Sequence, residues 1–135
     1  MPDLPDTVLK ILDKPNPAVI ATVRADGQPV SVATWYLIEN DQVLVNMDEG
    51  RRRLDYLRND PRVSLTVMDS EDWHTHVSLQ GRVVELADDG DLVDIDRLSR
   101  RYLGRPYQNR TRRRVSAWIA IDRWHGWGAA ARSRV

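Results

Sequence analysis

The strongest constraint on the fold is a run of six short segments of β-branched and apolar residues, each bounded by turn residues. Ala18–Val23 is apolar throughout and reads as a buried strand. Ala25-Asp26-Gly27-Gln28 follows as a turn, because Asp-Gly accepts the positive φ of a tight hairpin. Val30–Ile38 is predicted as one strand, with Val30, Val32, Thr34, Tyr36 and Ile38 alternating on one face. Glu39-Asn40-Asp41-Gln42 turns the chain again into a third strand, Val43–Met47. The fourth carries Val63, Leu65 and Val67, the fifth spans Thr75–Leu86, and the sixth spans Val115–Arg123. Gly81 in the middle of the fifth predicts a bulge or a close backbone approach. Short helices are expected at Pro5–Leu12, Arg51–Asn59 and Asp91–Leu103, the last with an inward stripe of Leu92, Ile95, Leu98 and Tyr102. Six strands that mostly follow one another must protect their edges, and closure into a barrel does so at this length. The expected fold is therefore mainly β: a six-stranded antiparallel barrel with short flanking helices, in one domain over residues 1–135.

Composition narrows the function. Basic and acidic residues balance to a formal charge of zero, which argues against a general nucleic-acid binder. No apolar run approaches the length of a membrane span, and the N-terminus lacks the pattern of a secretory signal, so a cytoplasmic location and no membrane partner are expected. With no cysteine, a thiol nucleophile and thiolate metal sites are excluded. His74 and His76 share a strand face but lack a third ligand at fitting spacing, so no metal site is expected. No P-loop, dinucleotide fingerprint or Ser/His/Asp order is present, and no side chain stands out as an obligatory catalytic acid.

The most informative segment is Asn46-Met47-Asp48-Glu49-Gly50-Arg51-Arg52-Arg53-Leu54. Three arginines begin a helix, where the macrodipole is already positive and free N–H groups point outward. A bound phosphate or carboxylate would relieve that repulsion and use both sets of donors. Neutralisation by Asp48 and Glu49 is the alternative at this stage. Trp35 and Tyr36 on the neighbouring strand suit the wall of a site for a flat ring with a phosphate tail, and equally suit an ordinary core. The basic run Arg110, Arg112, Arg113 and Arg114 reads as a solvated loop able to reach a second anionic group. His125, between two tryptophans, fits a structural role, an acid/base role or a haem ligand.

The segments Val30–Tyr36, Val43–Met47, Gly50–Arg53 and Asn59–Leu65 together resemble the pyridoxamine-phosphate-oxidase-like split-barrel family. The resemblance extends to Val77–Val83 and to Ala117–Ile119 through Trp124–Trp127, and is nearest to the actinobacterial branch of F-420-dependent flavin/deazaflavin oxidoreductases. It implies a homodimer with two cofactor clefts at the interface, binding coenzyme F-420 or, alternatively, FMN. By the same resemblance, Ser31, Val32, Ala33, Thr34 and Trp35 line the cofactor ring, and Val45, Asn46 and Met47 border it. Arg51, Arg52 and Arg53 hold the phosphate. Relatives carry Lys at the position of Arg53, and Arg keeps the charge with a different geometry. Trp73, His76 and Gln80 of a second subunit are candidates to complete the site. The implied activity is hydride transfer between the reduced cofactor and an unsaturated small molecule. A non-catalytic deazaflavin- or haem-binding protein is the reading from a different class. The residues that bind pyridoxamine phosphate in some relatives have no match in the tail, so that substrate is not expected.

Overall fold

A computed structural model describes residues 2–131. Three helices, α1 (Asp6–Leu12), α2 (Arg52–Asn59) and α3 (Val93–Leu103), flank seven strands. The strands are β1 (Ala18–Val23), β2 (Pro29–Thr34), β3 (Leu37–Glu39), β4 (Gln42–Asp48), β5 (Arg62–Met68), β6 (His76–Asp88) and β7 (Arg114–Trp127). They form one antiparallel sheet in the order β2-β1-β5-β6-β7-β4-β3.

That order dictates the shape. β2 and β3 are the two outer strands of the sheet, yet only Trp35 and Tyr36 separate them in the chain. Laid flat, six strand spacings of ~4.8 Å would hold the edges about 29 Å apart. Three Cα steps from Thr34 to Leu37 reach at most ~11 Å. The sheet must therefore roll until its edges meet, and β2 and β3 face each other across a seam closed by covalent chain. This is the split barrel expected from the sequence, with one correction: Val30–Ile38 is two strands, which makes seven in all.

Tyr36 explains the break. Its side chain is fully buried, and its hydroxyl lies 2.9 Å from the Leu12 carbonyl and 3.0 Å from the Lys14 carbonyl at the end of α1. Trp35 stacks on Tyr102 of α3 with ring centroids 5.5 Å apart. Both side chains are thus claimed by helices, and neither belongs to a ladder. Alternation continues through them in the sequence because Tyr36 still points inward. The expected inward set on β2 is also revised: Val32 is 41% exposed and Val30 half-buried, since this face of the strand borders a cleft.

Elsewhere local chemistry matches the observed geometry. Asn40 and Asp41, both at positive φ, form the two-residue turn between β3 and β4. Gly81 sits at a register shift between β6 and β7, where a Cβ would lie 1.9 Å from the Ala120 carbonyl oxygen. β7 runs past the expected Arg123 to Trp127 because β6 offers it partners throughout, down to His76 opposite Trp127. Leu54 and Leu57 of α2, with Val8 and Leu12 of α1, close the barrel interior over Ile20, Leu65 and Val67. A smaller cluster of Leu37, Leu44 and Leu98 seats α3 on the outer face of β3 and β4, against Trp35 and Trp118. α3 starts where Asp89 accepts the N–H groups of Asp94 and Ile95, at 3.0 and 2.9 Å. It ends at Gly104, at φ 74°.

Two stability measurements follow from these contacts. Gly81→Ala should cost about 2 kcal/mol or more in urea denaturation, because the backbone of β7 must move. Gly90→Ala, which meets only the Asp88 carboxylate at ordinary contact distance, should stay within about 0.5 kcal/mol of the parent. The second concerns pH. Burial raises the Tyr36 phenol well above its usual range, with the Tyr102 phenol adding to the effect. In the unfolded chain it ionises near pH ~10, so above that pH unfolding releases a proton that the folded protein retains. Stability should be intact below about pH 10 and fall above it. The fall should be shallower in Tyr36→Phe, with a residual slope from Tyr102, whose phenol is also raised by burial.

Candidate functional site

Two adjoining clefts open along the seam. One, of about 530 Å³, is walled by Trp35, Tyr102 and Tyr107, with Ile95 and Leu98 from α3 and Pro15 and Pro17 from the loop after α1. The other, of about 540 Å³, lies at the N-terminus of α2 and takes Arg51, Arg52 and Tyr56 with Val30 and Val32 of β2. Ala33, Arg53 and Arg114 line both. Asn46 lines the aromatic cleft and Met47 the basic one, because successive residues of β4 point to opposite faces.

The basic cleft resolves the alternative left open by the sequence. Asp48 and Glu49 do not neutralise the three arginines. The Asp48 carboxylate accepts a 2.6 Å bond from Arg112 and the Gly50 N–H at 3.1 Å, and Arg112 above all holds it below the usual carboxylate range. Glu49 pairs with Arg58 at 3.3 Å. Among the described residues no ion pair forms to Arg51, Arg52, Arg53 or Arg114. Arg53 is partly buried, and its buried Nε has no hydrogen-bond partner. Burial, then the like charges of Arg51 and Arg114, depress its pKa. The α2 N-terminus has no side-chain cap, so the N–H groups of Arg52 and Arg53 have no partner among the described residues. This donor set is cationic, and the one carboxylate in the lining, Asp48, is paired with Arg112, which fits a phosphate or carboxylate group as the arginines' partner.

The aromatic cleft is built by α3 and β4. Tyr102 donates its hydroxyl to the Asn16 carbonyl at 2.8 Å, fixing the ring on which Trp35 stacks. Tyr107 stands edge-on to Trp35, with centroids 6.2 Å apart at 86°. Behind them Asn46, 7% exposed, donates to Asp89 at 3.1 Å and to Ser116 at 3.0 Å. Its carbonyl oxygen accepts a 2.7 Å bond from Arg114 Nε.

The expected cofactor residues divide as follows. Ala33, Thr34, Trp35, Asn46 and Arg53 line the aromatic cleft, while Val32, Ala33, Met47 and Arg51–Arg53 line the basic one. Ser31 is exposed and lines neither, and Val45 is buried in the barrel core. Tyr36, the second candidate wall residue, is core. A single chain does not bring Trp73, His76 and Gln80 to either cleft. Trp73 is 76% exposed, Gln80 borders a separate surface hollow beside Arg62 and Arg123, and His76 stacks on Trp127 at 4.4 Å. His125 packs edge-on against the same Trp127 at 4.2 Å. Among the described residues no group of three or more His, Asp or Glu side chains is placed to hold a metal, and no helix is long and apolar enough to cross a membrane.

Tyr102, Tyr107 and Arg114 were not foreseen as cleft residues. For Arg114 the signal was in the sequence: Val115, Ala117 and Ile119 face inward, so Arg114, Ser116 and Trp118 must share the outer face, with Ser116 opposite Asn46 and Arg114 opposite Asp48.

Comparison with known proteins agrees with the fold. Solved structures with the same architecture include one named as an F420 reductase, with TM-score 0.81 and 22% identity over 90% of this chain and 98% of that one. A conserved hypothetical protein of Mycobacterium tuberculosis matches at TM-score 0.69 and 22% identity, over 95% of this chain and 91% of the other. General Stress Protein 26 of Bacillus anthracis matches at 0.68 and 20%, over 90% and 92%. At these identities the likeness shows a shared fold. No curated protein matches significantly. The family described as pyridoxamine 5'-phosphate oxidase matches residues 4–128, nearly the whole chain. With the rolled sheet and the paired clefts at its seam, this chain belongs to the pyridoxamine 5'-phosphate oxidase family.

Proposed function

We propose that the protein is an oxidoreductase that uses reduced coenzyme F-420 to reduce an unsaturated small molecule. The observation that carries this reading is the unpaired cation cluster Arg51, Arg52 and Arg53 beside the Trp35 wall, a donor set for an anionic tail next to a slot for a flat group. The fold shared with an F420 reductase supports it. When bound, the deazaflavin supplies the hydride, and the protein binds, orients and shields. Arg51, Arg52 and Arg53, with the first-turn N–H groups of α2, would hold the phosphate. Ala33 and Thr34, with Trp35, present short side chains and an aromatic face to the ring. Ile95 and Leu98 exclude water from one side of the cleft. In this reading a second copy of the chain completes each cleft with Trp73, His76 and Gln80. FMN carries the same kind of phosphate tail, so the test includes it.

Titration of the protein with F-420 and, separately, with FMN, followed by tryptophan fluorescence, tests the reading. Micromolar F-420 binding with weaker FMN binding is expected. The reverse preference moves the protein to flavin chemistry, and binding of neither removes the proposal. Arg51→Glu/Arg53→Glu should lose cofactor binding while keeping the circular dichroism of the fold, and wild-type affinity in that variant would overturn the site assignment.

Arg53→Met separates function from folding more sharply. It deletes a partly buried cation that has no partner and two like-charged neighbours. Without ligand, the variant should melt a few degrees higher, about 1 kcal/mol, while its cofactor affinity falls. Lower stability together with unchanged affinity would mean that Arg53 is a structural residue.

A further inference from the structure

We infer that the aromatic cleft receives a flat, conjugated carboxylate, and that Arg114 selects its charge. The inference rests on the proposed function for the identity of the reaction, but its binding test needs no cofactor.

Arg114 is only 8% exposed, yet among the described residues it has no acidic partner. The neighbouring arginines take the nearby acids: Arg112 pairs with Asp48 and Arg113 with Asp88. Asp89, the buried acid behind the cleft, is occupied by the N–H groups of Asp94 and Ile95 and by the Asn46 amide. Among the described residues the Arg114 side chain is left with one hydrogen bond, from Nε to Asn46, and neither terminal nitrogen has a partner. A guanidinium fixed at Nε presents its Nη pair as a fork, and that fork matches a carboxylate.

Its direction is set by its two supports. Asn46 and Tyr107 both line the aromatic cleft and neither lines the basic one. The Arg114 guanidinium lies over the Tyr107 ring at 4.8 Å. Arg51 and Arg52, in contrast, line only the basic cleft, which therefore has its own anion donors. The two clefts thus offer two adjoining anion-binding points that share Arg53 and Arg114. No carboxylate lines the aromatic cleft, so nothing there would favour a cation. Trp35 and Tyr102, within 11° of parallel, and Tyr107 edge-on provide faces for a planar group.

The test compares trans-cinnamate with trans-cinnamamide, which has the same shape and no charge. Binding to the full chain without cofactor is measured by calorimetry. Cinnamate should bind about tenfold tighter or more than the amide, the worth of a charge-assisted fork. Arg114→Gln should remove that preference, with circular dichroism unchanged from the parent. Arg114→Lys, which keeps the charge without the fork, should keep only part of the preference, and it serves alone if the Gln variant does not fold. Equal affinity for acid and amide in the wild type overturns the inference. So does a preference undiminished in either variant. Failure of F-420 and FMN to bind would remove the proposed function and leave this comparison intact.

Discussion

The two-residue passage from β2 to β3 governs the rest of the structure. A seven-stranded antiparallel sheet can lie open, but one whose outer strands are joined through Trp35 and Tyr36 must roll up. The Tyr36 hydroxyl, held at the carbonyls that end α1, fixes where the roll closes. Arg101 strengthens the same point, donating to the carbonyls of Leu12, Asp13 and Lys14 and lying over the Tyr36 ring at 5.2 Å. The seam is therefore pinned from α1, from α3 and from within the barrel. Both clefts lie where the roll brings β2 near the end of β4 that extends past β3, since residues of these two strands line them.

Electrostatics then distinguishes the clefts from the rest of the surface. Acids and bases are equal in number, and most arginines outside the clefts have a carboxylate or a row of carbonyls. The seam departs from this pattern. Its acids have other partners, Asp48 with Arg112 and Asp89 with the start of α3, while burial and then the nearby charges of Arg51 and Arg114 depress the Arg53 pKa. Clustered cations without counter-charges oppose folding, and sites that bind anions accept that cost.

Much of this was legible in the sequence. Hydrophobic patterning located the strands except for the break that separates β2 from β3, Asp-Gly and Asn-Asp marked the turns, and Gly81 announced the bulge. The arginine run at α2 was readable because it breaks the helix-dipole rule. What escaped lay in partnerships between distant segments. Trp35-Tyr36 kept the strand alternation, so only the contact with α1, more than twenty residues away, reveals the break. Asp48 and Glu49 sit next to the arginines, yet their partners are Arg112 and Arg58. Arg114 reads as one more member of a basic loop until its strand parity is followed. Local propensity carries the elements, whereas which acid meets which base is decided by packing.

Trp35 is at once the hinge of the roll and a wall of the aromatic cleft. A loop wall could swing independently of the barrel, but this one cannot. The width of the cleft is tied to the breathing of the whole sheet, a collective motion slower than loop motion. A molecule held there, as proposed, would oppose the barrel's own opening.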